Sequence, residues 1–163
     1  MSENSNPDPQ RALLRHALAT LAYRAGKVLR DAPEGFSMFH ADEGVRAPGQ
    51  IVAHMGDLMD WALSMADGSR KWQDSKPLAW EKEVDRFFAA LKKFDDYLAS
   101  SADLKAPVDK LFQGPVADSL THVGQLALLR RLAAEPISAE NYFVADIVVG
   151  RVGSEQTPPK KKF

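Results

Sequence analysis

The sequence predicts an all-α protein, a four-helix bundle with a short helical and extended segment after the last long helix. Three observations carry this expectation. Apolar residues recur at spacings of three and four over four long stretches. No stretch alternates with period two for long enough to build a sheet. At 163 residues the chain has the size of one domain with a sizeable core.

The first residues, "MSENSNPDPQ", are polar and carry two prolines, so residues 1–9 read as a disordered tail. They hold neither a basic n-region nor an apolar h-region, which argues against a signal peptide. The first helix is expected from about Asp8 to Arg30, with Leu14, Leu18, Leu21, Ala25 and Val28 on one apolar stripe and His16 on the surface. Pro33 lies beyond its end. The glycine-containing "EGFSMFHADEGVRAPGQ" has no period and reads as a long loop, a type of segment that is often functional.

Pro48 suits the first turn of the second helix, where its missing N–H costs nothing, and Gly68 marks the stop. Ile51, Met55, Leu58, Ala62 and Met65 form its core face. In the third helix Val84, Phe87, Phe88, Leu91 and Leu98 point inward, while Lys92, Lys93, Asp95 and Asp96 are expected in water. Gly114 and Pro115 read as the cap and first-turn residue of the fourth helix, which ends at Pro136. A short helix from Ser138 and an extended "IVVG" complete a bundle over residues 10–150. Residues 151–163, with Lys160, Lys161 and Lys162, read as a solvated tail.

Composition narrows the chemistry. The 21 basic and 22 acidic residues leave a formal charge of −1, so no global field favours nucleic acid or anionic lipid. There is no cysteine, which removes a disulfide scaffold, a thiolate nucleophile and cysteine-ligated metals. No apolar run approaches the ~20 residues of a membrane span. A cytoplasmic protein without membrane or nucleic-acid partners is expected.

The fourth helix, "PVADSLTHVGQLALLRRLAAE", carries the informative polar residues. Asp118, His122, Gln125 and Leu129 follow one another at spacings of four, three and four, a single ridge. A carboxylate on such a ridge is normally paired or bound to a cation. The i, i+4 spacing lets Asp118 and His122 address one point, and His54, on the edge of the core side of the second helix, is the available third ligand. Two other readings stay open at this level. Asp118 also reads as an acid favoured by the N-terminal end of its helix, and His54 as a half-buried histidine bonded to a neighbour.

"IVAHMGDLMDWA" together with "DSLTHVGQLALLRRL" resembles the DinB/YfiT-like superfamily, which includes bacterial thiol-dependent S-transferases, over roughly residues 10–150. That family is a four-helix bundle with one ligand histidine on helix two and a His-x-x-x-His pair on a later helix. His54 matches the first ligand, and "HVGQ" places His122, Gly124 and Gln125 in the pattern. Asp118 stands where most members have a histidine. A branch resembling mycothiol-dependent maleylpyruvate isomerase carries a glutamate there, and aspartate is one methylene shorter.

The resemblance implies a divalent metal, zinc or nickel, held by His54, Asp118 and His122. It also implies activation of a low-molecular-weight thiol for transfer onto, or isomerisation of, a small electrophile. Trp61 is expected to wall the pocket, Gln125 to hold His122 or a water, and Tyr142 to supply a hydrogen bond. His40 reads as surface. The competing expectation is a non-catalytic metal-binding or interaction bundle. A second apolar stripe on the fourth helix, Val116, Leu120, Val123 and Ala127, predicts a homodimer seam or a covering layer from residues 138–150.

Overall fold

Asp8 starts the first helix as its side chain accepts the Gln10 N–H at 2.9 Å, and Pro9 occupies the first helical position. The computed structural model describes residues 8–163, so of the tail expected over residues 1–9 the first seven lie outside the described residues, while Asp8 and Pro9 belong to the helix start instead. Helix α1 runs Pro9–Leu29, α2 Pro48–Asp67 and α3 Trp80–Ala99. The fourth rod is composite: α4 Val108–Leu111, a π-helical turn Phe112–Val116, and α5 Ala117–Leu132. All regular structure among the described residues is helical, and no helix is long and apolar enough to cross a membrane.

Cross-links between the rods fix the topology. Arg15 grips Asp95 with two bonds, at 2.8 and 2.9 Å, and Arg11 donates to the carbonyl of Ser100, so α1 and α3 are antiparallel. Arg86 reaches back to the Ala53 carbonyl near the start of α2, whereas the Lys105 N–H beyond α3 bonds the Ala66 carbonyl at the end of α2. Those two helices therefore run parallel. Their connection, residues 68–79, must return along the whole length of α2 and acts as a crossover strap. The sequence reading did not anticipate this strap.

Leu14, Leu18, Leu21, Ala25, Val28, Ile51, Met55, Leu58, Ala62, Phe87, Phe88, Leu91 and Leu98 are all buried, as their spacing predicts. Asp95 is a correction. It is 2% exposed rather than in water, because the Arg15 guanidinium supplies both a counter-charge and two donors.

The start of the fourth rod is a second correction. Gly114 and Pro115 do not open it. Helical backbone enters at Val108 and passes through both residues, the wider π turn accommodating a proline that can donate no hydrogen bond. Residues 111, 112, 116 and 117 all keep right-handed helical dihedrals. Asp118 thus sits within a continuous rod, ten residues and more than two turns past its beginning at Val108, where a helix-end dipole has faded.

The expected dimer seam also changes meaning. Val116 is fully buried and Val123 is 6% exposed within the single chain. Ser119 and Leu126, each 0% exposed, lie between this stripe and the Asp118–His122 ridge. The two stripes are the edges of one broad inward face, with a serine at its centre hiding the continuity.

Residues 133–163 form an arm without a long helix. In place of the helix expected from Ser138 there is one 3-10 turn, Tyr142–Val144, capped by the Asn141 side chain. The buried Glu140 accepts from the Tyr23 hydroxyl and from Lys27 at 2.8 Å, and Val152 enters the core. Residues 151–163 are therefore not simply a solvated tail: Thr157 bonds the Asp146 carbonyl and the Lys161 carbonyl accepts the Asn141 N–H, while Lys160, Lys161 and Lys162 remain exposed. Arg130, 6% exposed, donates to the carbonyls of Val28 and Arg30, closing the C-terminal end of α1.

Candidate metal centre

α2 and α5 run antiparallel, and their facing sides bring His54 to Asp118 and His122. Nε2 of His54 lies 3.6 Å from one carboxylate oxygen of Asp118, and Nε2 of His122 lies 3.5 Å from the other. One ligand atom from each side chain can be chosen so that no pair is farther apart than 4.8 Å. The two imidazole rings stand perpendicular, their centroids 5.0 Å apart.

These separations exceed the 2.7–3.2 Å of a direct N–H···O bond. They match the spacing of atoms that share a cation: bonds of about 2.0–2.2 Å in a tetrahedron place neighbouring ligands about 3.4 Å apart. The chemistry of the donor set agrees. Gln125 Oε1 lies 2.8 Å from Nδ1 of His122, and an amide oxygen only accepts, so Nδ1 donates to it and Nε2 is the ring nitrogen that faces the centre. Burial lowers the His54 pKa, helped by the charges of Arg46 and His122 and opposed by Asp118. This direction favours the neutral imidazole that metal ligation requires. Two imidazoles and a carboxylate form a group that could hold a divalent metal ion.

Access comes from one side. His122 is buried and His54 half-buried, but the Asp118 side chain keeps 46% of its exposure. Trp72, on the strap, stands at 71° to the His54 ring, with centroids 5.8 Å apart, and at 88° to the Trp61 ring at 5.9 Å. Trp61 in turn faces Gly114, where a Cβ would come within 3.8 Å of its ring. Trp61 and Trp72 therefore form an aromatic wall beside the three donors.

Sequence reasoning missed Trp72 because it lies in an aperiodic segment. What holds it there is equally irregular. Asp57, 1% exposed, accepts from the Ser75 N–H at 2.8 Å, the Ser75 hydroxyl at 2.7 Å and Arg86 at 3.0 Å. Burial acts to raise its pKa, but the Ser75 bonds and Arg86 outweigh it and hold the carboxyl below its usual range. Glu83, 0% exposed, accepts from the Leu78 N–H and from Arg86. Gly56 makes this possible: a Cβ there would fall 2.9 Å from the Arg86 guanidinium that lies across α2.

The remaining expected residues lie elsewhere. Tyr142 packs edge-on to Tyr23 under the guanidinium of Arg24, so the structure gives it to the outer side of α1 rather than to the pocket. His40 is exposed on the loop between α1 and α2 and is not part of the three-residue group. His16 is exposed, as expected.

Comparison of the chain with protein-family models, curated proteins and solved structures found no match.

Proposed function

We propose that this chain is a divalent-metal-dependent enzyme in which His54, Asp118 and His122 hold zinc or nickel and a low-molecular-weight thiol reacts with a small electrophile. The observation that carries the metal is the convergence of two imidazole nitrogens on one carboxylate, each 3.5–3.6 Å from one of its oxygens, with all three ligand atoms within 4.8 Å of one another. Three protein ligands with a half-exposed edge leave coordination positions open, the arrangement of catalytic rather than structural sites. The thiol and the reaction class rest on the resemblance of "IVAHMGDLMDWA" and "DSLTHVGQLALLRRL" to the DinB/YfiT-like superfamily.

A bound zinc or nickel ion would lower the pKa of a thiol or water and polarise a carbonyl. The chain's own residues do the rest. Gln125 fixes the tautomer and direction of His122. Asp118 contributes the negative charge that makes a dication tolerable beside buried apolar groups. Trp61 and Trp72 exclude water from one side and offer an apolar surface to the body of a substrate.

Metal analysis of protein purified without an affinity metal column tests the first half, with about one equivalent of zinc or nickel expected. Cobalt-substituted protein tests the second. A thiol that ligates the ion should produce a new near-ultraviolet charge-transfer band, absent in His54→Ala and His122→Ala. Metal without any thiol band would instead favour a non-catalytic metal-binding bundle.

A further inference from the structure

Residues 140–161 fold back on themselves along α1. Glu140 bonds Lys27, Tyr142 packs on Tyr23, and at the far end a Cβ on Gly150 would lie 3.5 Å from the Arg15 guanidinium. The chain then returns. Gln156 comes within 3.3 Å of where a Cβ of Gly26 would be, and the Asn141 N–H closes the loop on the Lys161 carbonyl at 3.0 Å. That bond sets Lys160, Lys161 and Lys162 beside the Tyr142–Val144 turn.

The outgoing limb is apolar where it meets water. Phe143 is 96% exposed, and Val144, Val148 and Val149 are exposed as well. The turn that carries Phe143 is held in place: its N–H bonds the Asn141 side chain, and the neighbouring Tyr142 ring is packed between Tyr23 and the Arg24 guanidinium. The ring is thus presented to solvent from a fixed base. The chain's formal charge of −1 conceals a local excess around it. Arg24 and the three lysines form no ion pair with a carboxylate among the described residues. Of the acids in residues 140–161, Glu140 is sealed beneath Tyr23 and Lys27 and Asp146 lies 3.8 Å from Arg151, which leaves Glu155. Four cations therefore stand against one uncompensated acid. Asp31 lines the pocket that reaches Pro159, but beside Lys27, Arg30 and Arg130.

An apolar side chain projecting from a fixed turn among unpaired cations matches an anionic bilayer surface. The lysines gain from the headgroup charge, and the ring gains from entering the boundary between headgroups and acyl chains. A nucleic acid would also use the charge and could stack on Phe143, but it gives the valines of the limb nothing to bury against. We propose that the arm of residues 140–161, with Lys162, docks the protein on an anionic lipid surface, Phe143 and Val144 entering the interface and Lys160, Lys161 and Lys162 holding the headgroups. This is attachment to one leaflet, and it requires no membrane-spanning helix. It stands independently of the metal centre.

Cosedimentation of the full chain with vesicles tests this, comparing phosphatidylcholine alone with phosphatidylcholine carrying about 30% phosphatidylserine at about 0.1 M salt. The protein should bind the anionic vesicles and not the neutral ones. Lys160→Gln, Lys161→Gln and Lys162→Gln should each weaken partitioning roughly fivefold. Phe143→Ala should weaken it roughly tenfold, through lost apolar burial. All these side chains lie in solvent, so helical content should not change. In Phe143→Trp, brominated lipid should quench more fluorescence than in the parent. No binding of the parent to anionic vesicles overturns the proposal, and so does Phe143→Ala binding like the parent, which would leave only diffuse charge attraction. Anisotropy of a labelled single-stranded oligonucleotide covers the other polyanion. Tighter binding to it than to the anionic vesicles, with the same lysine dependence, overturns the lipid assignment in favour of nucleic acid.

Discussion

Gln125 and His122 sit one turn apart on α5, with the amide oxygen 2.8 Å from Nδ1 of the imidazole. Gln125 is itself exposed, so packing does not account for the contact. Its effect is chemical: it settles which ring nitrogen faces Asp118 and His54. Gln125, expected from the sequence to hold His122 or a water, makes its contact with His122.

Replacing Gln125 with Leu should leave the fold intact, because the side chain lies in solvent. Zinc affinity should fall on the order of 10–100-fold, the usual consequence of losing a partner of a ligand histidine. Competition with a fluorescent chelator reads this directly. An unchanged affinity would mean that His122 is oriented by its packing alone.

The strap supplies a pH-dependent prediction. The Asp57 carboxyl is held below its ordinary value of 3.8, so its contribution to stability is complete above that value and fades as pH falls through the lower folded value. Acid should therefore release residues 68–79 below about pH 4, with a change in the fluorescence of Trp72. Asp57→Asn should weaken this acid dependence. At pH 7 it should destabilise the protein by roughly 3 kcal/mol, since it leaves Arg86 and Glu83 without their third partner. Denaturant melts at pH 7 and at about pH 2.5 check both statements.

At Gly56 two effects oppose each other. Alanine gains up to ~1 kcal/mol of helix propensity over glycine. Its Cβ would meet the Arg86 guanidinium at 2.9 Å, and that group is pinned by Glu83, Asp57 and the Ala53 carbonyl. Displacing a buried charge network costs more, in the range of ~2–4 kcal/mol, so Gly56→Ala should be net destabilising. A higher melting temperature for this variant would show that Arg86 moves aside freely.

Val123 tests the reinterpretation of the second stripe. It is 6% exposed inside the chain, so Val123→Glu should destabilise the bundle itself by several kcal/mol at any protein concentration. A variant that melts like the parent and changes only its sedimentation would restore the stripe as an interface between copies.

The helices were legible because period and burial coincide in them: apart from Asp57 and Asp95, the positions buried in Leu14 through Val28, Ile51 through Ala62 and Phe87 through Leu98 are overwhelmingly apolar. The candidate ligands were legible because polar residues on an otherwise apolar ridge stand out. What escaped depends on pairing between distant segments. Asp95 looks like a surface residue until Arg15, 80 positions away, is placed against it. Trp72 and Ser75 carry no period, and only the parallel course of α2 and α3 forces their strap across α2. Pro115 normally signals a helix start, yet a π turn lets it lie within one.

The central claim is that Asp118 is a ligand and not an acid at a helix end. Zinc titration of Asp118→Asn and Asp118→His beside the parent, with His54→Ala and His122→Ala removing the two candidate imidazoles, tests it most directly. The account predicts one site in the parent, a loss exceeding roughly 10-fold in Asp118→Asn, retention in Asp118→His, and near-complete loss in both alanine variants, all with unchanged helical content. Parent-like zinc affinity in Asp118→Asn, or in the two histidine variants, would contradict it.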